Sequence, residues 1–83
     1  MIKVLLFAQL AELGEADSLM VEFETGMTPR SLVASQVGTW PKTLTDALIY
    51  DVAMVAVNEV MIDWDQTLSD EDVVAFLPPF SGG

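Results

Sequence analysis

The chain closes on Pro78-Pro79-Phe80-Ser81-Gly82-Gly83, and its chemistry is concentrated there. Two successive glycines leave the last carboxylate on a thread without side chains. Such a thread passes into an active site too narrow for any branched residue. Glycine also costs more backbone entropy to order than any other residue, so the thread is poor building material. It is either a frayed, idle end or the carrier of a working carboxylate. The double proline favours the second reading, because it holds the segment extended and lowers the entropy lost on insertion. From Phe80 to Gly83 the extended reach is about 13 Å, enough to enter a buried site while the domain stays outside.

Rival places for chemistry are few. There is no cysteine, hence no disulfide, thiolate nucleophile or thiolate metal site, and no histidine. A self-contained enzyme is not expected. Asp63, Asp65, Asp70, Glu71 and Asp72 form an acidic cluster. It fails as a calcium loop, since the fifth and sixth positions from Asp63 are Thr67 and Leu68. The expected role is a solvated turn, with no metal and no bound cofactor.

The net charge is -10, with only Lys3, Arg30 and Lys42 to oppose thirteen acidic residues. No basic stripe exists to displace counterions, so neither nucleic acid nor an anionic membrane surface is an expected partner. The charge suits a basic partner reached by steered encounter. It equally keeps a chain that is 52% hydrophobic in solution, and the two roles are compatible. No apolar run is long enough to span a bilayer, and no cleavage site follows the apolar N-terminus. The expected location is cytoplasmic.

The elements that must present the tail follow from periodicity. Ile2 to Gln9 reads as a strand buried on both faces, with a helical turn from Leu10 ending at Gly14. Ser18 to Glu24 alternates, with Leu19, Val21 and Phe23 on one side, as a half-buried strand does. Thr28-Pro29 starts the main helix, a hydroxyl N-cap followed by proline at the first helical position. The helix is expected to reach about Val37 and stop at Gly38, with Leu32, Val33, Gln36 and Val37 on one side. Leu44 to Tyr50 reads as a second short helix. Ala53 to Val57 and Val60 to Trp64 read as a hairpin around Asn58-Glu59. Val73 to Leu77 is the last strand, stopped by the double proline. Trp40 and Trp64 are expected to pack. The order implies an α+β domain over residues 1–77, a mixed sheet of about five strands curled over one main helix. The first and last strands would lie side by side and parallel. Residues 78–83 form a flexible tail.

Four stretches now carry a family resemblance: Ile2 to Ala8, Val55 to Asn58, the Leu68 to Val73 turn, and Val74 through the Pro-Pro-Phe-Ser-Gly-Gly end. Together they resemble the small, sulfur-carrying subunit of molybdopterin synthase, a ubiquitin-like β-grasp protein. Three positions depart from that pattern. Ala11 stands where arginine is frequent, which puts a partner salt bridge in doubt. Glu59 and Glu71 stand where glycine is frequent, and are expected to loosen their turns.

The resemblance implies a function. A ubiquitin-activating-type enzyme would adenylate Gly83 with ATP, and a sulfurtransferase would supply persulfide sulfur to form a C-terminal thiocarboxylate. The large subunit, holding the catalytic site, would take in the tail and pass the sulfur to a pterin precursor within a heterotetramer. Gly82 gives slimness. Ser81 either hydrogen-bonds in the channel or is merely solvated. Phe80 either anchors the tail on the partner or folds back, and Pro78 and Pro79 set direction. Met61, Ala75 and Leu77 are the implied partner interface; Met54, Met61 and Leu77 read equally as core by composition alone. A ubiquitin-like protein modifier, a thiamine-pathway sulfur carrier and a passive interaction module remain alternatives.

Overall fold

The computed structural model describes residues 1–51 and 54–78. Five strands form one sheet: β1 (Ile2–Leu6), β2 (Ser18–Val21), β3 (Met54–Val57), β4 (Val60–Ile62) and β5 (Val73–Leu77). Their spatial order is β2-β1-β5-β3-β4. β1 and β5 pair in parallel, with Leu5 beside Ala75 and Leu6 beside Phe76, as the first and last strands were expected to do. The other three pairings are antiparallel. This is the expected mixed β-grasp sheet.

Three short helices cover one face: α1 (Gln9–Gly14), α2 (Pro29–Ser35) and α3 (Lys42–Tyr50). The cover is therefore divided, and α3 is longer than the Thr28-capped helix. Ile2, Val4, Leu6, Val55, Val74 and Phe76 on the sheet meet Leu32, Val33, Leu44 and Leu48 on the helices in one core. Each large apolar side chain so buried contributes about 1.5–3 kcal/mol. Trp64 stacks on Phe76 with ring centroids 5.4 Å apart. Trp40 is buried as well, so both tryptophans pack as expected.

Local chemistry sets the helix limits. The Ser31 N–H donates to Thr28 Oγ1 at 3.1 Å while the Thr28 N–H donates to Ser31 Oγ at 2.9 Å, a reciprocal N-terminal cap. α2 ends before Val37 because its last turn tightens. The Ser35 hydroxyl donates to the Leu32 carbonyl at 2.7 Å, and the Gln36 and Val37 N–H groups reach back only three residues. Val37 is consequently exposed rather than part of the apolar stripe. α3 begins at Lys42, two residues earlier than the apolar pattern marks, with Lys42 paired to Asp46 one turn on at 2.6 Å.

β1 is shorter than its apolar run and is covered on one face only. Ile2, Val4 and Leu6 are buried, Lys3 is exposed and Leu5 is half-buried. The chain turns at Ala8, with φ 51° and ψ -124°, and the Leu10 N–H donates to the Phe7 carbonyl at 3.0 Å. α1 then ends at Gly14, as expected, where a Cβ would come within 2.7 Å of Leu6 Cδ1 and 3.0 Å of Leu44 Cδ2. The absent side chain lets α1 approach both the sheet and α3.

The two turns expected to loosen are held instead. Asn58 and Glu59 both take positive φ (50° and 71°), the geometry of a two-residue hairpin whose twist matches its strands. Asn58 Nδ2 donates to Asp72 Oδ1 at 3.0 Å, and the Val73 N–H donates back to Asn58 Oδ1 at 3.0 Å. The Ser69 N–H donates to Asp72 Oδ2 at 2.8 Å, closing the turn in which Glu71 sits at φ 70°. One asparagine and one aspartate thus fix the hairpin and the entry to β5 together. Within the acidic cluster, Asp72 serves turn structure. Among the described residues no group of three or more acidic side chains is arranged to hold a metal ion. Nor is any helix there long and apolar enough to cross a membrane.

Candidate functional site

The helices leave the other face of the sheet open, and the strand register states what lies on it. Met61 pairs with Ala56, Ala56 with Ala75, and Ala75 with Leu5. These four form a row across β4, β3, β5 and β1. A second row brings Leu77 beside Met54. A third brings Val73 beside Lys3, and Lys3 beside Met20. Met61 is 54% exposed, Met54 38% and Phe7, just past β1, 44%. Ala56 is buried, yet it belongs to this face and not to the core beneath the helices.

Large side chains therefore surround a centre of two alanines. A shallow cavity of about 400 Å³ opens among Leu5, Phe7, Asn58, Glu59, Val73 and Ala75. Small residues at the middle and flexible or aromatic ones at the edge form a surface into which a partner's side chain can settle. The patch is apolar and continuous, unlike the scattered exposed residues that any surface carries.

Three of the expected site residues, Met61, Ala75 and Leu77, share this face. Leu77 ends β5 at the rim of the patch, and Pro78 follows it half-buried. Pro79, Phe80, Ser81, Gly82 and Gly83 lie outside the described residues, as does Ala53 at the expected start of the third strand. The sequence reading missed Leu5, Phe7, Ala56 and Met20 on this face. A signal for two of them was present: Lys3 marks the uncovered side of β1, and Leu5 and Phe7 share its parity.

Lys3 in the third row and Glu59 in the cavity lining are the charges on this face, and further charge is arranged around it. Arg30 is taken up by Asp65, with Nε to Oδ1 at 2.8 Å. The hydrogen bond from Arg30 is the main reason that the Asp65 carboxyl titrates below the ordinary aspartate value. The Met1 ammonium lies 2.7 Å from Asp70, which raises the amine and lowers the carboxyl. Most of the thirteen carboxylates are left to set a negative field around the domain.

The family model for the ThiS family matches residues 4–83, nearly the whole chain. The chain belongs to the ThiS family. A molybdopterin synthase sulfur carrier subunit from Escherichia coli (strain K12) is 40% identical over 85 aligned residues, which cover 100% of both chains. This ThiS-family chain is thus a relative of the small, sulfur-carrying subunits, as its tail and strands implied. Its fold is close to that of SAMP1 from Haloferax volcanii, with a TM-score of 0.79, 26% identity, and 99% and 98% of the two chains covered. It also matches, in fold alone, a chain in the complex of subunits 1 and 2 of molybdopterin-converting factor from Helicobacter pylori 26695. There the TM-score is 0.63 at 19% identity, with 99% and 97% covered.

Proposed function

We propose that this protein is the sulfur carrier subunit of a molybdopterin synthase and carries the sulfur as a thiocarboxylate on Gly83. The observation that carries the reading is the likeness, over its whole length, to a protein named for that role. The absence of cysteine supports the position of the sulfur, since no side-chain thiol is available to hold it.

The chemistry has two stages. A carboxylate is a poor electrophile, so one oxygen of Gly83 first attacks the α-phosphorus of ATP on a ubiquitin-activating-type enzyme and releases pyrophosphate. The terminal sulfur of a sulfurtransferase persulfide then attacks the acyl carbon and expels AMP, giving an acyl disulfide. A second thiol of the sulfur-donating system cleaves its S–S bond, leaving the thiocarboxylate and a donor disulfide. In the large subunit the sulfur passes to the pterin precursor, and the carboxylate returns when water completes the exchange. This chain supplies no acid or base to these steps. Residues 1–77 supply docking, through the row from Met61 to Leu5 and through Leu77. Residues 78–83 supply reach: Pro78 and Pro79 aim the tail, Phe80 and Ser81 occupy its channel, and Gly82 keeps it thin.

Intact-mass measurement tests the reading. After incubation with activating enzyme, ATP and a persulfide donor, the chain should show one oxygen replaced by sulfur, localised to Gly83. Deletion of Gly83 should abolish loading while the melting temperature is unchanged. An unmodified acid, from components that load a control carrier, would contradict it. The Gly82-Gly83 end keeps a ubiquitin-like modifier role as the second reading, and conjugates on lysines under the same ATP-supplied conditions would favour that role.

A further inference from the structure

A second concave surface lies on the helix layer, away from the open sheet face. It is a groove of about 470 Å³ between α2, the end of α3 and Trp64. Its floor includes Val33 and Leu48, which are buried, and its wall is Ile49 and Tyr50. Ile49 is 48% exposed and Tyr50 77%, adjacent large side chains at the end of a nine-residue helix. The core beneath is already closed by Leu44, Ala47 and Leu48 of the same helix, so these two are not needed to fill it.

The rim is acidic. Asp51 lines the groove, and Asp63 and Asp65 both act on Arg30, which lines it too. Arg30 is committed to Asp65 through contacts of 2.8 and 3.3 Å. Two carboxylates thus act on the one guanidinium, and a third, Asp51, lines the apolar trough.

We propose that this groove is a second docking surface, and that its occupant is a basic amphipathic helix of a partner protein. Apolar side chains of the helix lie on Ile49 and Tyr50, and its lysines or arginines face Asp51 and Asp63. Charge selects this occupant. A second copy of the chain brings another -10 and repels, and nucleic acid or an anionic lipid surface repels for the same reason. A helix laid in a groove also matches a recurrent mode of peptide recognition. The surface lies on the helix layer and shares no lining residue with the open sheet face. It does not rest on the sulfur-carrying role.

The test is a titration of the isotope-labelled full-length chain, followed by amide chemical shifts. The probe is a helical peptide with leucine at i, i+3, i+4 and i+7 and lysine elsewhere; its control carries glutamate for lysine. Saturable shifts are expected at Ala34, Ile49, Tyr50 and Asp51, with none at Leu5 or Ala75. Tyr50→Ala should weaken binding about tenfold without lowering the melting temperature, and added salt should weaken it further. Should Tyr50→Ala destabilise the fold, the Asp51→Asn, Asp63→Asn double variant reads the same loss. Shifts confined to the sheet face, equal binding of the glutamate peptide, or no binding of either would overturn the proposal. So would concentration-dependent shifts without peptide, which would assign the groove to a second copy.

Discussion

On β5, Val74 and Phe76 are fully buried, while Val73, Ala75 and Leu77 stay partly exposed. Five consecutive apolar residues therefore serve two surfaces. One is closed by three helices and holds the fold together. The other is covered by no helix among the described residues. A strand that needed only stability would carry polar residues on its open side, as half-solvated sheets usually do. This one carries Val73, Ala75 and Leu77, continued by Leu5, Ala56, Met54 and Met61 on its neighbours. The open face is apolar without being required by the core, and that difference is what supports the proposed docking role.

Substitutions at neighbouring positions separate the two faces. Phe76→Ala, on the covered face, should cost about 3–5 kcal/mol of stability, read from the denaturant midpoint. Part of that loss is the stacking partner of Trp64. A cost below about 1 kcal/mol would mean that the covered face is not the core. Ala75→Arg, one residue away, should leave stability within about 1 kcal/mol but weaken binding to a large synthase subunit about 100-fold by calorimetry. Equal binding by that variant would remove the sheet face from the interface.

The turns give a smaller contrast. Glu71 holds positive φ, and its exposed carboxylate gains only a 3.6 Å contact with the Met1 ammonium, so Glu71→Gly should add about 0.5–1 kcal/mol of stability and leave partner binding unchanged. A loss would show that the Glu71 side chain matters in the turn. The smallest effect belongs to the exposed Arg30–Asp65 pair on the helix side. Arg30 holds the Asp65 carboxyl below its ordinary value in the folded chain, so its contribution is complete above about pH 4. The contribution is lost as the pH falls through the lowered folded value. Asp65→Asn should therefore melt slightly lower than the parent near neutral pH, and the difference should close in acid. A difference that persists in acid would assign the effect to something other than this charge pair.

Much of this was legible in the sequence because the physics concerned was local. Thr28-Pro29 gave the start of α2, Asn58 the hairpin, and Gly14 the end of α1. Parallel pairing of β1 with β5 followed from two apolar runs at opposite ends of one small domain. What escaped depended on tertiary partners. Glutamate has no preference for positive φ, so the geometry at Glu59 and Glu71 is set by the bonds joining Asn58, Asp72, Ser69 and Val73. Ile2 to Phe7 is so uniformly apolar that only Lys3 betrays its uncovered side. Ala56 cannot be told from a core residue by type, because a small side chain between two strands is buried on either face. Ile49 and Tyr50 look like the continuation of a buried helix, and only the position of α3 shows that they lie outside it.

In the proposed function one small chain combines a domain that docks with a terminal carboxylate that carries. Its most direct test follows the mass of the loaded chain after mixing with the large subunit and the pterin precursor, without further ATP. The mass should return to that of the carboxylic acid in step with sulfur appearing in the pterin product. A chain that keeps its sulfur while product forms, or product formed equally well with the Gly83-deleted chain, would contradict it.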